Sequence, residues 1–227
     1  MGILSTGPKI GTPRGSVYRP KHFSEDRIDV MHDVMRAHPF ATLISVGADG
    51  PEANHIPFAL EPGEDGTPGT LRAHVARPNP LWSENDPDPD ADVLIVFQGP
   101  EHYVTPSWYP SKAEHGKVVP TWNYIIVHAR GTMRAIQDTD WLLAHLNALT
   151  DHQETGRDTP WAVADAPADY LEKMVGGIVG LEIPIRSLEG KWKMSQNRNA
   201  ADRAGVVDGL IAEGNDAAAE VATKIPD

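Results

Sequence analysis

The sequence predicts an α+β fold, a barrel of antiparallel strands with helices at its periphery. Short β-rich runs separated by turn signals recur at Ala41–Val46, Leu71–Ala76, Val93–Phe97 and Tyr124–Ile136. Apolar residues at three- and four-residue spacing are concentrated in a few separate stretches between or beyond those runs. No internal repeat appears, and no linker divides the chain.

In chain order, His22–Met35 carries Ile28, Met31 and Met35 at helical spacing behind Ser24, which predicts a helix capped near Ser24. Ala41–Val46 is a strand, and Asp49-Gly50 turns it back into Glu52–Leu60 as a hairpin. Glu61–Gly69 is a Gly/Pro/acidic loop, and Leu71–Ala76 a third strand broken by Pro78 and Pro80. Trp82 sits on a short helix before the acidic loop Glu84–Asp92. Val93–Phe97 is apolar throughout, which predicts burial on both faces.

Tyr124–Ile136 is a strand pair or one long strand, and Asp138 or Thr139 caps a helix running to about Leu149. A further helix follows Pro167, with Tyr170, Leu171, Met174, Val175 and Ile178 at helical intervals. Gly180–Ile185 and Lys191–Ser195 read as a hairpin turning near Glu189-Gly190. Residues 1–16 read as a disordered leader, 17–212 as the barrel domain with helical additions, and 213–227 as a flexible acidic tail.

The 227 residues contain no cysteine, which excludes disulfides, thiol catalysis and thiolate metal sites. No apolar run approaches the ~20 residues of a membrane span, and with no export signal the cytoplasm is the expected compartment. Twenty basic against 32 acidic residues give a formal charge of −12, which disfavours a long polyanion such as DNA. The exception is Arg186–Arg203, with five basic and two acidic residues, a local island suited to a small anion.

Residues 99–124, GPEHYVTPSWYPSKAEHGKVVPTWNY, hold two tryptophans, three tyrosines and four prolines. Rigid aromatic faces beside hydroxyl and amide groups suit a flat, polar-edged ligand, and the prolines argue against a regular strand or helix. The ten histidines match no metal-ligand spacing, and neither Ser107 nor Ser195 has the setting of a nucleophile elbow. No basic recognition helix is evident. What remains is a set of polar groups at strand ends: Asn54-His55, His74 with Arg77 and Asn79, Thr121-Trp122-Asn123, and Ser195-Gln196-Asn197-Arg198. Arg77 at a strand exit suits bidentate contact with a phosphate.

With these motifs in place, Tyr18–Phe23, Ala53–Phe58, His74–Asn79, Pro120–Tyr124 and Lys193–Arg198 resemble those of the PaiB family of FMN-binding negative transcriptional regulators. The resemblance spans about Tyr18 to Leu210. It implies an antiparallel split β-barrel of the FMN-binding type, forming a homodimer with ligand sites at the subunit interface. Under it, His74–Asn79 would contact the FMN phosphate with Arg77 as main charge. Trp108, Trp122 or Tyr124 would cover the isoalloxazine, and Asn123 or Gln196 would bond its pyrimidine edge. Thr121 belongs to the same wall, Lys193 and Arg198 would reach in from the partner subunit, and His55 and His74 are the acid–base candidates. The family name admits DNA as a partner and leaves a redox-sensing role open. The alternatives are a flavin-dependent oxidoreductase or a haem-binding split barrel.

Overall fold

The computed structural model describes residues 17–47, 49–82 and 92–227. The expected leader and most of the acidic loop lie outside these. The first elements of the described residues are a 3-10 turn, Lys21–Phe23, and a two-residue strand β1 (Ser24–Glu25), followed by helix α1 (Ile28–Ala37). The expected helix at 22–35 therefore starts later, and its N-cap is Arg27. Ser24 is in an extended segment whose backbone pairs with a later strand, so it cannot cap. Strands β2 (Phe40–Gly47) and β3 (Gly50–Pro57) form the hairpin predicted by Asp49-Gly50.

Only Phe58 separates β3 from β4 (Ala59–Glu61). The expected strand to Leu60 thus breaks in two, with Leu60 in β4 paired to β5 (Thr70–Ala76). That break closes the barrel. With β6 (Asp92–Val104), β7 (Thr121–Thr132) and β9 (Ile178–Lys193), the sheet runs β3-β2-β6-β7-β9-β5-β4, so the two strands joined through Phe58 stand at opposite ends of the order. Phe58 itself is buried edge-to-face on Phe97, 5.9 Å between centroids.

Strand β6 (Asp92–Val104) runs well past the predicted Phe97. A bulge between Gln98 and Glu101 absorbs Gly99-Pro100, which lets the first part of the aromatic segment continue as strand. Val93, Ile95 and Phe97 are buried while Leu94 and Val96 are half-buried, so only one face of this strand enters the core. A 3-10 turn (Pro106–Trp108) and the short helix α2 (Ser111–His115) lead to β7 (Thr121–Thr132) and β8 (Arg134–Ile136). Asp138 caps α3 (Thr139–Glu154) by accepting from the Trp141 amide at 2.8 Å. Helix α4 (Ala168–Gly176) follows Pro167.

The expected hairpin at 180–195 is instead one 16-residue strand, β9 (Ile178–Lys193). Gly190 is there for space: a Cβ would lie 2.6 Å from the Trp192 ring and 2.9 Å from the Glu25 carbonyl. The tail expected to be flexible is also ordered. Helix α5 (Ala200–Ala212) is followed by α6 (Asp216–Lys224), whose Ala218, Val221 and Ala222 are buried with Val206 and Leu210. The Asn215 side chain caps α6, and its alanine and valine stripe docks into that core. A larger core fills the barrel with Leu43, Leu71, Ile95, Phe97, Val127, Leu181 and Ile183, closed by Met31 and Met35 of α1. No helix among the described residues is long and apolar enough to cross a membrane.

Candidate functional site

Strand register sorts the candidate residues by face. On β7, Asn123, Ile125, Val127 and Ala129 are buried, so Trp122, Tyr124, Ile126, His128 and Arg130 point outward. Cross-strand pairing extends this outer face as a row His55–Thr42–Val96–His128–Glu189. The next row is Ala53–Ile44–Leu94–Arg130–Ser187. Toward the other end Ile126 pairs with Lys191, and Tyr124 with Lys193. The buried side chains of α1, α5 and α6 join the cores on the opposite side of this sheet.

The outer face is cationic and aromatic at its Trp122 end. The Lys191 ammonium lies 5.4 Å from the Tyr124 centroid and 5.6 Å from that of Tyr18. Lys193 sits 5.7 Å from Tyr124 and donates to the Thr121 hydroxyl and the Trp122 carbonyl. Beside this face, the Arg198 guanidinium covers Tyr109, a buried member of the core shared with α5 and α6, at 4.7 Å. Among the described residues none of these three cations has a carboxylate partner. Burial, with Lys191 and Arg198 nearby, holds Lys193 below the usual lysine range. Trp122 is exposed and meets Tyr103 edge-to-face at 5.9 Å.

Further along the same face, burial lowers the His128 pKa, and the Arg130 charge lowers it further. His128 Nδ1 and Arg130 Nε are both buried without a hydrogen-bond partner. Such groups are costly to leave unpaired. They suit a ligand or a second protein surface.

Several expected contacts lie elsewhere. Asn123 is fully buried, its amide hydrogen-bonded to the Ser195 hydroxyl at 3.1 Å, and so does not face a ligand. Gln196 is committed to backbone: its Oε1 accepts from Met194 N at 2.7 Å and its Nε2 donates to Trp192 O at 2.6 Å. Trp108 packs under α5, where a Cβ on Gly209 would fall 2.3 Å from its ring. Asn79 ties the turn after β5 to β3, donating to Asn54 Oδ1 at 3.0 Å and accepting from Leu81 N at 2.9 Å.

Arg77 is also tied down, donating to the carbonyls of Gly176 (2.9 Å) and Ile178 (3.1 Å) and to Gln137 Oε1 (2.8 Å). His74 Nδ1 is 3.1 Å from Nε2 of His145 on α3, and burial lowers its pKa. This second group lies at the other end of β9: His74 pairs with Gly180, whereas Tyr124 pairs with Lys193. About 40 Å of strand separates those positions at ~3.3 Å per residue. The fold therefore brings His55, Trp122, Tyr124 and Lys193 onto one face, with Thr121 and Arg198 beside it, and leaves His74, Arg77 and Asn79 apart. Lys191, His128 and Arg130 escaped the sequence-level selection. Their signal was the strand alternation that puts them on the same side as Tyr124.

The curled antiparallel sheet with helices at its ends defines a split-barrel protein of the flavin-binding type. The chain belongs to the family described as "Putative FMN-binding domain", whose model matches residues 17–187. It is 30% identical to the Protease synthase and sporulation protein PAI 2 of Bacillus subtilis, over 93% of this chain and 97% of that protein. It is 35% identical to an uncharacterized protein of Aspergillus fumigatus, covering 82% of this chain and 88% of the relative. Among solved structures, the flavocytochrome Anf3 of Azotobacter vinelandii aligns with a TM-score of 0.57 at 15% identity, covering 80% of this chain and 74% of that one. The FAD and haem binding protein of Mycobacterium smegmatis aligns with a TM-score of 0.54 at 22% identity, covering 86% and 81%. These two likenesses concern the fold.

Proposed function

We propose that the outer face of β2, β3, β6, β7 and β9 is where this protein holds FMN and meets a second copy of itself. The observation that carries this reading is the set of three cations, Lys191, Lys193 and Arg198, each against an aromatic ring and, among the described residues, without a carboxylate partner. A dianionic phosphate supplies the missing charge, and charge-assisted hydrogen bonds to it are about twice as strong as neutral ones. Tyr124 and the exposed Trp122 offer flat surfaces for the isoalloxazine. The phosphate role passes from Arg77 to this cluster, because Arg77 follows β5 at the opposite end of β9 from Tyr124 and Lys193.

The partner subunit follows from the same face. Half-buried Ile44, Leu94, Val96 and Ile126 surround the unpartnered His128 Nδ1 and Arg130 Nε, a mixture that a self-complementary interface would cover. The bound flavin supplies reversible redox chemistry. The chain's part is to anchor the phosphate, stack the ring and exclude water, with His55 and His128 as the imidazoles nearest that surface in register. A regulatory role is the reading that its similarity to the PaiB family supports, in the cytoplasm and with a redox-sensing contribution from the flavin. The net charge of −12 weighs against direct DNA binding, and a gel shift that stays negative at low salt would remove it.

The test is the visible spectrum of the purified protein before and after adding FMN. Paired flavin bands support the reading, a Soret band would establish the haem alternative, and failure to take up FMN would defeat it.

A further inference from the structure

We propose that the cavity between α3 and α4 is a second site, which binds a small amphipathic monocarboxylic acid. Its volume of about 480 Å³ lies in the range of small-molecule pockets. Leu142 and Leu143 of α3 and Leu171 and Val175 of α4 form the apolar part, while Arg77 and Gln137 stand at the polar part.

Two separate features argue for a ligand. The first is the packing of α4. Its apolar residues recur at helical spacing, yet Val175 is the one buried side chain of this nine-residue helix. Tyr170 is 55% and Met174 42% exposed. A helix docked through so little apolar surface is stabilised by anything that fills the gap beneath it.

The second feature is Arg77. Its bonds to Gly176 O, Ile178 O and Gln137 Oε1 fix the plane of the guanidinium, and all three acceptors are neutral. Trp82 packs against it at 5.8 Å, so the charge is held in place without being neutralised. Of the five N–H groups of an arginine two remain, and a planar carboxylate is the anion that matches such a fork. Glu172 also lines the cavity and repels a second negative charge, which selects a monoanion over a phosphate. The leucines then require an apolar body on the acid. Occupancy would clamp α4 onto α3 and, through the Gly176 and Ile178 carbonyls, reach the first residues of β9.

The experiment is calorimetric titration of the full chain with phenylacetate and octanoate, each against its neutral amide, at millimolar concentrations. The acids bind and the amides bind at least about tenfold more weakly, the loss expected for a charge-assisted contact. Arg77→Gln brings the acids down to the amide level. Leu171→Trp fills the cavity and abolishes acid binding while FMN uptake, followed by flavin fluorescence, persists as proof of folding. Equal binding of acid and amide overturns the proposal, as does acid binding that survives Leu171→Trp, or no heat from either acid. Competition between FMN and the acids would assign the cavity to the flavin and equally overturn it.

Discussion

Acidification is expected to loosen α3 from the barrel through the buried pair His74–His145. His145 is 2% exposed, stacked on Trp141 at 5.4 Å between centroids, and its Nδ1 has no partner. Burial, then the His74 and Arg72 charges, push its pKa from 6.5 down to about 4. Arg72 faces the pair from β5 and is itself paired with Glu61 of β4 and Glu182 of β9, so those carboxylates are already engaged. Between those two values the unfolded chain binds a proton that the folded chain refuses. Stability therefore falls as pH drops below about 6.5 and levels off near 4, by about 3 kcal/mol at ~1.4 kcal/mol per pH unit. The lowered pKa of His74 acts in the same direction.

His145→Phe keeps the aromatic stack and removes the titration. Urea unfolding at a series of pH values between 7 and 4 then compares the two proteins. At pH 7 the variant is less stable by about 1 kcal/mol, for one neutral hydrogen bond. By pH 4.5 it is the more stable of the two. The two proteins are otherwise identical, so the difference isolates this pair. Stability curves that run parallel across that range would show that His145 is not the titrating group.

Three other outcomes follow from the packing. Gly209→Ala places a Cβ 2.3 Å from the Trp108 ring and is expected to cost about 2 kcal/mol by overpacking, read as a lower urea midpoint. Truncation before Asp216 removes Ala218, Val221 and Ala222 from the second core and is expected to cost ~3 kcal/mol, whereas loss of a flexible tail would cost nothing. Leu94→Lys, on the half-buried outer face, is expected to turn a dimer into a folded monomer by analytical ultracentrifugation. An unchanged dimer would place the interface elsewhere.

Local chemistry made much of the fold legible. Asp49-Gly50 announces its hairpin, Asp138 its helix, and the β-rich runs most of the strands. The failures came where a residue serves a distant neighbour. Gly190 reads as a turn but is small so that Trp192 and α1 can pack against its strand. Gly99-Pro100 reads as a break but is absorbed by a bulge, because the partner strand β7 continues past it. The tail looks acidic and weak, but its small apolar stripe has a core waiting for it in α5.

The site divides the same way. Trp122, Tyr124 and Lys193, which read as ligand-type residues in the sequence, fall on the face proposed for FMN. Alternation from buried Ile125 and Val127 would also have turned Asn123 inward and His128 and Arg130 outward. The tethers of Arg77 and Gln196 could not be read, since their partners are backbone carbonyls and a backbone N–H of the folded state.

The most direct test of the outer-face assignment is FMN titration of the chain beside the double variant Lys193→Gln/Arg198→Gln, followed by quenching of flavin fluorescence. Stoichiometric uptake is expected of the parent chain, with affinity about a hundredfold weaker in the variant for two lost charge-assisted contacts. Unchanged affinity in the folded variant, or no uptake by the parent, would contradict that assignment.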